Sequence, residues 1–415
     1  MSFEGVINKK GASGLYNKET SSDNVFGLIA GAVAVSGADN FSLSKVYKFL
    51  QLKDAEAIGI TANYDNTNKV LLHYHIDAFF RLNPNGELFL YGVAQSTTMK
   101  DMCDKTKGHI VSLVKSEIAE RRIRGIGVVR NPSTPYSPII TNGINKDVVD
   151  AVPKAQEVIN DLFSESIYLD NIVIEGRDLD TSISAVKDLR TLDAPQVSVT
   201  ILQDPDIAAK KAEYAKTAAV GTILASIGVR KVSESIGSVQ IEDYPQQFQG
   251  RSDFPLGSGD SFLKVALSNG TKGSSLTLAE QQLLTERAYI YGGSFEGYAG
   301  IFLNDSPTCA DANNDFSYIE NTRVWNKAAR FVRAVLIPKV RSKIAYDADD
   351  NVEPLLVQNW INLVENRLQL MVSSEDITDS DFSIEEAEKN KPVKTKLKVS
   401  LYGIAREIEN ELILQ

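Results

Sequence analysis

Three histidines, two cysteines and a few acidic clusters are the side chains of this sequence with the clearest chemical potential. His73 and His75 lie two residues apart in the run 68–82 (NKVLLHYHIDAFFRL), whose spacing predicts a helix. Residues so spaced on a helix point to different faces, so the pair cannot chelate one ion. Asp311-Ala312-Asn313-Asn314-Asp315 and Asp347-Ala348-Asp349-Asp350-Asn351 open like calcium loops. Phe316 and Val352 then stand where the loop turns on Gly, and Thr322 and Gln358 replace its bidentate Glu. Turn and capping roles explain these acids better, and no metal site is assigned. Cys103 and Cys309 have no redox partner in sequence, and two cysteines are too few for a disulfide framework. A reducing compartment is expected.

Phosphate and nucleophile motifs are also missing. Segment 268–275 (SNGTKGSS) contains Lys272 without the spacing that aims amides and ammonium at one phosphate. Gly257-Ser258-Gly259-Asp260-Ser261 and Gly292-Gly293-Ser294 miss the nucleophile elbow. No catalytic residue and no cofactor is assigned.

The elements that would have to position a site are those of an α/β protein. Helical patterns at 68–82, 110–121 and 146–163 alternate with strand-length apolar runs at 87–93, 125–130, 168–174 and 197–202. Continuously apolar strands separated by helices predict a mostly parallel sheet with helices on both faces. Ligands in such folds sit beyond the carboxyl ends of the strands. There the sequence offers Ala94-Gln95-Ser96, Asn131-Pro132 and Glu175-Gly176-Arg177, none of them a glycine-rich phosphate nest. The Gly- and Pro-rich stretch 241–273 reads as a boundary or long connection. Beyond it come a helix at 277–287, a short strand at 300–303, a basic helix from about Ile319 and a long helix with Pro354 in its first turn. The expected units are an arm at 1–20, an α/β domain at 21–245, an α+β domain at 246–390 and a β arm at 391–415.

The chain has 415 residues, 44 basic against 54 acidic, and a formal charge of −10. That negative field disfavours a phosphate-backbone partner, so no nucleic acid is expected. Met1 begins a stretch without the apolar core of a secretory signal. The longest apolar run, 25–35 (VFGLIAGAVAV), is too short to span a bilayer, and direct membrane insertion is not expected.

Three features point to assembly. From Arg323 to Lys343 there are seven basic residues and no acid. At about 100° per residue, Arg323, Lys327, Arg330 and Arg333 share about 120° of arc, opposite Val324, Ala328, Phe331, Val332 and Val335. The basic face is either solvated or suited to an acidic protein surface. Second, 392–402 (PVKTKLKVSLY) alternates Leu397, Val399 and Leu401 with lysines, a period-two strand. The ending 405–415 again alternates, with Glu407, Glu409 and Glu411 opposite Ile408, Leu412 and Leu414, although a helix through Ile404, Ile408 and Leu412 also fits. As a strand it would pair with the lysine stripe in a hairpin, or join the sheet edge of another copy. Third, 1–14 is a polar arm with Phe3, Val6 and Ile7 as anchors.

Several blocks resemble the tail sheath proteins of contractile phages and bacterial contractile injection systems, the Bacteroidetes-type group in particular. These blocks are DAEAIGI at 54–60 with Tyr64-Asp65 and 70–81, then GIFL at 300–303 with YIENTRV at 318–324 and the helix to Pro338, and LKVSLYGI at 397–404. The resemblance implies a non-enzymatic subunit that stacks as hexameric rings around an inner tube and drives its ejection by contraction. It implies partners in other copies, the tube, and baseplate and terminator proteins, with assembly in the cytoplasm of the producing bacterium. It also implies exchanged terminal strands anchored by Phe3, Ile7, Leu397, Val399, Leu401, Ile408, Leu412 and Leu414. A helix of the tube-proximal domain would rest on the tube, with Arg323, Lys327, Arg330 and Arg333 facing it. The rival readings are an α/β enzyme or ligand-binding protein with a site assembled from distant residues, and a non-contractile shell subunit.

Overall fold

The apolar run at 25–35 supplies an interior strand of the sheet, between the strands at 125–129 and 87–94. A computed structural model describes residues 23–239, 265–296, 301–389, 391–406 and 408. Its main sheet has seven strands: β1 (Val25–Ala32), β2 (Val46–Phe49), β3 (Glu87–Ala94), β4 (Gly125–Val129), β5 (Asn171–Glu175), β6 (Val197–Thr200) and β7 (Tyr289–Ile290). They lie in the order β7-β6-β5-β4-β1-β3-β2. All pairings are parallel except that of the edge strand β2 with β3.

Helices cover both faces, as the continuously apolar strands require. One face carries α2 (His109–Val114), α3 (Lys146–Ser164) and α5 (Leu278–Glu286); the other carries α1 (Leu72–Leu82) and α4 (Val220–Val229). Successive residues of β1 feed opposite cores, with Val25 and Ile29 on the first side and Phe26, Leu28 and Ala30 on the second.

Two predicted helices are shorter than their apolar pattern, one starting late and the other ending early. Lys69 takes a left-handed conformation (φ 57°) and closes the helix Ala62–Asn68, so α1 starts only at Leu72. Glu120 and Arg121 have φ of 51° and 59°, and the stretch to 121 turns after α2 ends at Val114. Residues 278–290, expected in the second unit, supply α5 and β7 to the main sheet and its cover.

A smaller layer follows, made of α6 (Ile319–Leu336), α7 (Pro354–Ser373), β8 (Asp379–Glu386) and β9 (Lys394–Ser400). Val324, Ala328, Val364, Leu368, Met371 and Phe382 form its core. The apolar stripe of α6 faces α7, as its spacing predicts.

Candidate functional site

The strand order reverses beside β1, so a ligand site of the doubly wound kind would lie beyond the carboxyl ends of β1 and β4. Asn131 fills that place. Its Nδ2 donates to the Gly31 carbonyl at 2.9 Å, and its Oδ1 accepts from the Leu71 amide at 3.2 Å. Beside it, the Tyr64 hydroxyl accepts from the Val33 amide and donates to the Val33 carbonyl, at 2.9 and 2.6 Å. Asp65 accepts from the amides of Leu72, His73 and Tyr74 at 2.9–3.0 Å, capping α1. Burial pushes its carboxyl up to about 7 against those donors.

The adjacent strand ends hold a second polar cluster, tied up internally. Glu175 accepts from the amides of Arg130 and Ala218 at 2.8 and 3.2 Å, and burial raises it to about 7 although Arg177 lies 3.7 Å away. Arg177 Nε, the Tyr136 hydroxyl and Asn145 Nδ2 all donate to Asp178, at 3.0, 2.9 and 2.8 Å. The guanidinium groups of Arg130 and Arg177 each lie 5.1 Å from the Tyr136 ring centroid. Arg130 pairs with Asp147, which also caps the helical turn Met99–Cys103. Arg177 and Asp178 are 2% and 3% exposed, so neither reaches a solute without opening the fold. The cluster fastens loops, which is structural work.

The other chemically capable residues are placed as the sequence suggests. His73 lies 3.2 Å from Glu56, whereas His75 is buried and its Nδ1 accepts from the Gly221 amide at 3.3 Å. Asp311 and Asp347 accept from backbone amides two to four residues ahead, as turn residues do. Both cysteines are buried free thiols whose pKa burial raises. Among the described residues, no group of three His, Cys, Asp or Glu is arranged to hold a metal ion, and no helix is long and apolar enough to cross a membrane.

The basic face of α6 turns inward, contrary to expectation. Arg323, 2% exposed, donates to the carbonyls of Lys231 and Arg230 at 3.1 and 3.4 Å. Lys327 bridges Asp23 and Asp376, both at 2.8 Å. Arg330, 7% exposed, binds Asp23 at 2.7 Å and lies 3.7 Å from Asp170. Burial raises the Asp23 carboxyl, but Lys327 and Arg330 outweigh it and hold Asp23 below its usual range. Burial raises Asp170 despite Arg330. Of the four residues, Arg333 alone is exposed. The helix lies between its apolar neighbour α7 and the acidic edge of the α/β part, so both faces are covered. A cleft of about 280 Å³ lined by Asp23, Arg230, Arg323, Lys327 and Asp376 marks this polar seam.

The lysine strand finds a partner upstream. β9 pairs antiparallel with β8, placing Lys398 opposite Asp381 and Leu397 opposite Phe382. Lys394, Lys396 and Lys398 form ion pairs with Glu386, Glu385 and Asp381 at 2.8, 3.6 and 3.2 Å. Within the chain the lysine stripe thus meets the acidic stretch before it, while the ending 405–415, read as a possible hairpin partner or as a strand joining another copy, lies mostly outside the described residues. Leu397 and Val399 pack on the third core, while Leu401 and Ile408 are exposed. Phe3, Ile7, Leu412 and Leu414 lie outside the described residues. The acids that receive the basic helix, Asp23 and Asp170, gave no local signal; Asp376 belongs to an acidic stretch visible in sequence.

The fold is similar, end to end, to chains of three solved assemblies. The anti-feeding prophage baseplate, 6-fold symmetrised, matches at TM-score 0.60 and 13% identity, over 100% of this chain and 99% of that one. The anti-feeding prophage helical sheath in its contracted state matches at 0.60 and 12%, over 100% and 99%. The PVC sheath complex of an extracellular contractile injection system, also contracted, matches at 0.60 and 12%, over 100% and 98%. No curated protein matches the chain. Family models described as DUF2586, N-terminal domain, and DUF2586, C-terminal domain, match residues 7–307 and 315–414. Their junction falls between β7 and α6, where the sheet ends and the smaller layer begins, and the chain belongs to the DUF2586 family.

Proposed function

We propose that the chain is a structural subunit of a contractile sheath, polymerising as stacked hexameric rings around an inner tube and ejecting that tube by contraction. The observation that carries this is the fold likeness to contracted sheath chains, which leaves essentially no part of either chain unmatched. The interior agrees with it: the strand ends where an α/β enzyme would bind substrate are closed by Asn131 and by the Arg130–Tyr136–Arg177 cluster.

In this reading the larger α/β part projects outward and the α6–α7 layer lies toward the tube. Neighbouring copies are linked by their terminal segments, and two packings of one surface give the bistable element that contraction requires. Because Arg323, Lys327 and Arg330 serve inside the chain, the tube-facing charge falls to the exposed Arg333, Arg341 and Lys343. Such exposed charges suit a contact that must release, since ion pairs at a wet surface are weak and screened. Baseplate and terminator proteins would close the ends. Assembly would take place in the cytoplasm of the producing bacterium, before incorporation into a phage tail or injection particle.

Negative-stain microscopy of the purified protein with its tube tests the proposal. Helical tubes with six-fold ends are the expected result. Closed shells would identify a shell subunit, and discrete particles under all assembly conditions would favour the ligand-binding reading.

A further inference from the structure

Four aromatic side chains form a continuous row where the α/β part meets the smaller layer. Phe163, in the last turn of α3, lies 5.5 Å from Tyr168 and 5.4 Å from Trp325 of α6, and Trp325 lies 5.7 Å from Phe316, measured between ring centroids. Phe163 and Trp325 are 42% and 38% exposed. Large rings grouped and left open to water mark contact surfaces, where they bury much area for little lost rotamer freedom.

The acids beside the row differ in what they hold. Asp161 and Glu165, on either side of Phe163 in sequence, are paired with Lys105 and Lys115 at 3.0 and 2.6 Å. Asp311 and Asp315 are exposed on the turn that leads to Phe316, and Asn321 of α6 fixes that turn by donating to the Asp315 carbonyl at 2.7 Å. Among the described residues neither of these two acids has a basic partner. The platform is therefore apolar along the rings and negative beside Phe316.

The opposite end of the same helix carries the complement. α6 has 18 residues, a rise of about 27 Å, and runs on into the turn Ile337–Lys339. Ile337 and Val340 are 51% and 69% exposed there, and Lys339 between them has no acidic partner among the described residues. The helix macrodipole accounts for acids before a helix and bases after it, but not for exposed apolar groups at both ends. One rigid element holds the two patches apart, so they cannot meet within a copy.

We propose that the Phe163–Trp325 platform, with Asp311 and Asp315, receives residues 337–340 of a second copy, Ile337 and Val340 against the rings and Lys339 toward the acids. Different patches of each copy meet in such a contact, so it repeats head to tail and closes into a ring or continues as a helix. Arg333, Arg341 and Lys343 stay outside it and are left for the tube. The contact stands on the two patches, and its place in a ring of subunits rests on the sheath reading.

Sedimentation velocity of the full-length chain at low salt, without the tube, tests it. K339E/V340S spoils the turn, and F163S/D315K spoils the platform. Wild type should form species larger than a dimer as concentration rises, and each variant alone should associate about ten-fold more weakly or worse. An equimolar mixture of the two variants should form a dimer and nothing larger, because only one intact pair of patches is left. A wild type that stays monomeric, a mixture that stays monomeric, or variants that associate like wild type overturn the contact. Should F163S/D315K not fold, D315K alone, at an exposed turn position, takes its place in the same mixture. Wild type that associates in this way but never forms tubes strikes the sheath reading and leaves the contact standing, whereas tubes of ordinary length from both variants overturn the contact and leave that reading intact.

Discussion

Asn131 donates its side-chain amide to the carbonyl of Gly31 at 2.9 Å, across the place where the strand order of the sheet reverses. In a doubly wound enzyme that crevice receives the ligand. Here it is sealed by a residue two positions past β4, and the same side chain also holds the start of α1 through the Leu71 amide.

Replacing Asn131 by Ala should therefore cost stability. Two buried backbone groups, the Gly31 carbonyl and the Leu71 amide, lose their partner, and each buried unpaired group costs about 1–3 kcal/mol. A loss of about 2 kcal/mol or more in urea unfolding is expected. A change of only a few tenths would mean that the crevice is wet and the seal is not what closes it.

The second prediction concerns the inward face of α6. Arg330→Ala leaves Asp170 buried and Asp23 with one cation fewer, and breaking a buried pair in this way costs about 3 kcal/mol or more. Arg333→Ala, on the exposed side, should change stability by less than about 0.5 kcal/mol. Charge reversal at Arg323, Lys327 and Arg330 should accordingly damage the fold, contrary to what their pattern on a helical wheel suggests. Equal and small effects at Arg330 and Arg333 in urea unfolding would return the basic face to solvent.

Much of this architecture was legible in sequence because strands buried on both faces and amphipathic helices leave periodic traces. β3, β4, β6 and α3 fall within a few residues of their patterns. What escaped has physical reasons. β1 lies in a run rich in Gly and Ala that shows no period, and α4 is buried at eight of its ten positions, so it has no polar face to mark it as a helix. A charge pattern shows that a stripe exists but not what it meets. Asp23 and Arg330 are 307 residues apart, and the lysine strand had acidic candidates on both sides of it in sequence. Arg406 sits in an irregular segment, where neither period applies.

Acid should unmask His75. It is fully buried between α1 and α4, and burial pulls its pKa down to about 3 from 6.5. The unfolded chain gains a proton there below about pH 6.5 while the folded chain stays neutral, so stability falls as pH drops toward 3, by up to about 1.4 kcal/mol per unit. Asp65 and Glu175, both raised to about 7, act in the opposite sense: the folded chain binds their protons more tightly, and their contribution is lost as pH rises through 4 to 7. The informative quantity is thus the difference between wild type and His75→Gln. That difference should shift in favour of the variant as pH is lowered from 6.5 to 4, and a constant difference in unfolding free energy would show that His75 is protonated in the folded protein.

The carboxyl-terminal segment can be cut at two places with different consequences. A chain ending at Asn390 loses β9 entirely, and with it Leu397 and Val399, which pack on the core that holds Phe382. Its α/β part should stay folded, because the seven-stranded sheet draws on no residue beyond Ile290, but β8 is left with an unpaired edge and the smaller layer with an opened core. A chain ending at Gly403 keeps both strands and the three lysine ion pairs, each exposed and worth little individually, and loses residues 404–415, Arg406 among them. If terminal segments link copies, neither chain should form long tubes, while the Gly403 chain keeps the unfolding midpoint of the smaller layer close to wild type and the Asn390 chain does not. Urea unfolding followed by tryptophan fluorescence reads that layer, since Trp325 and Trp360 lie on α6 and α7. Long tubes from the Asn390 chain in negative stain would show that copies are joined by surfaces other than their ends, and the linkage between strand pairing and polymer would then have to be abandoned.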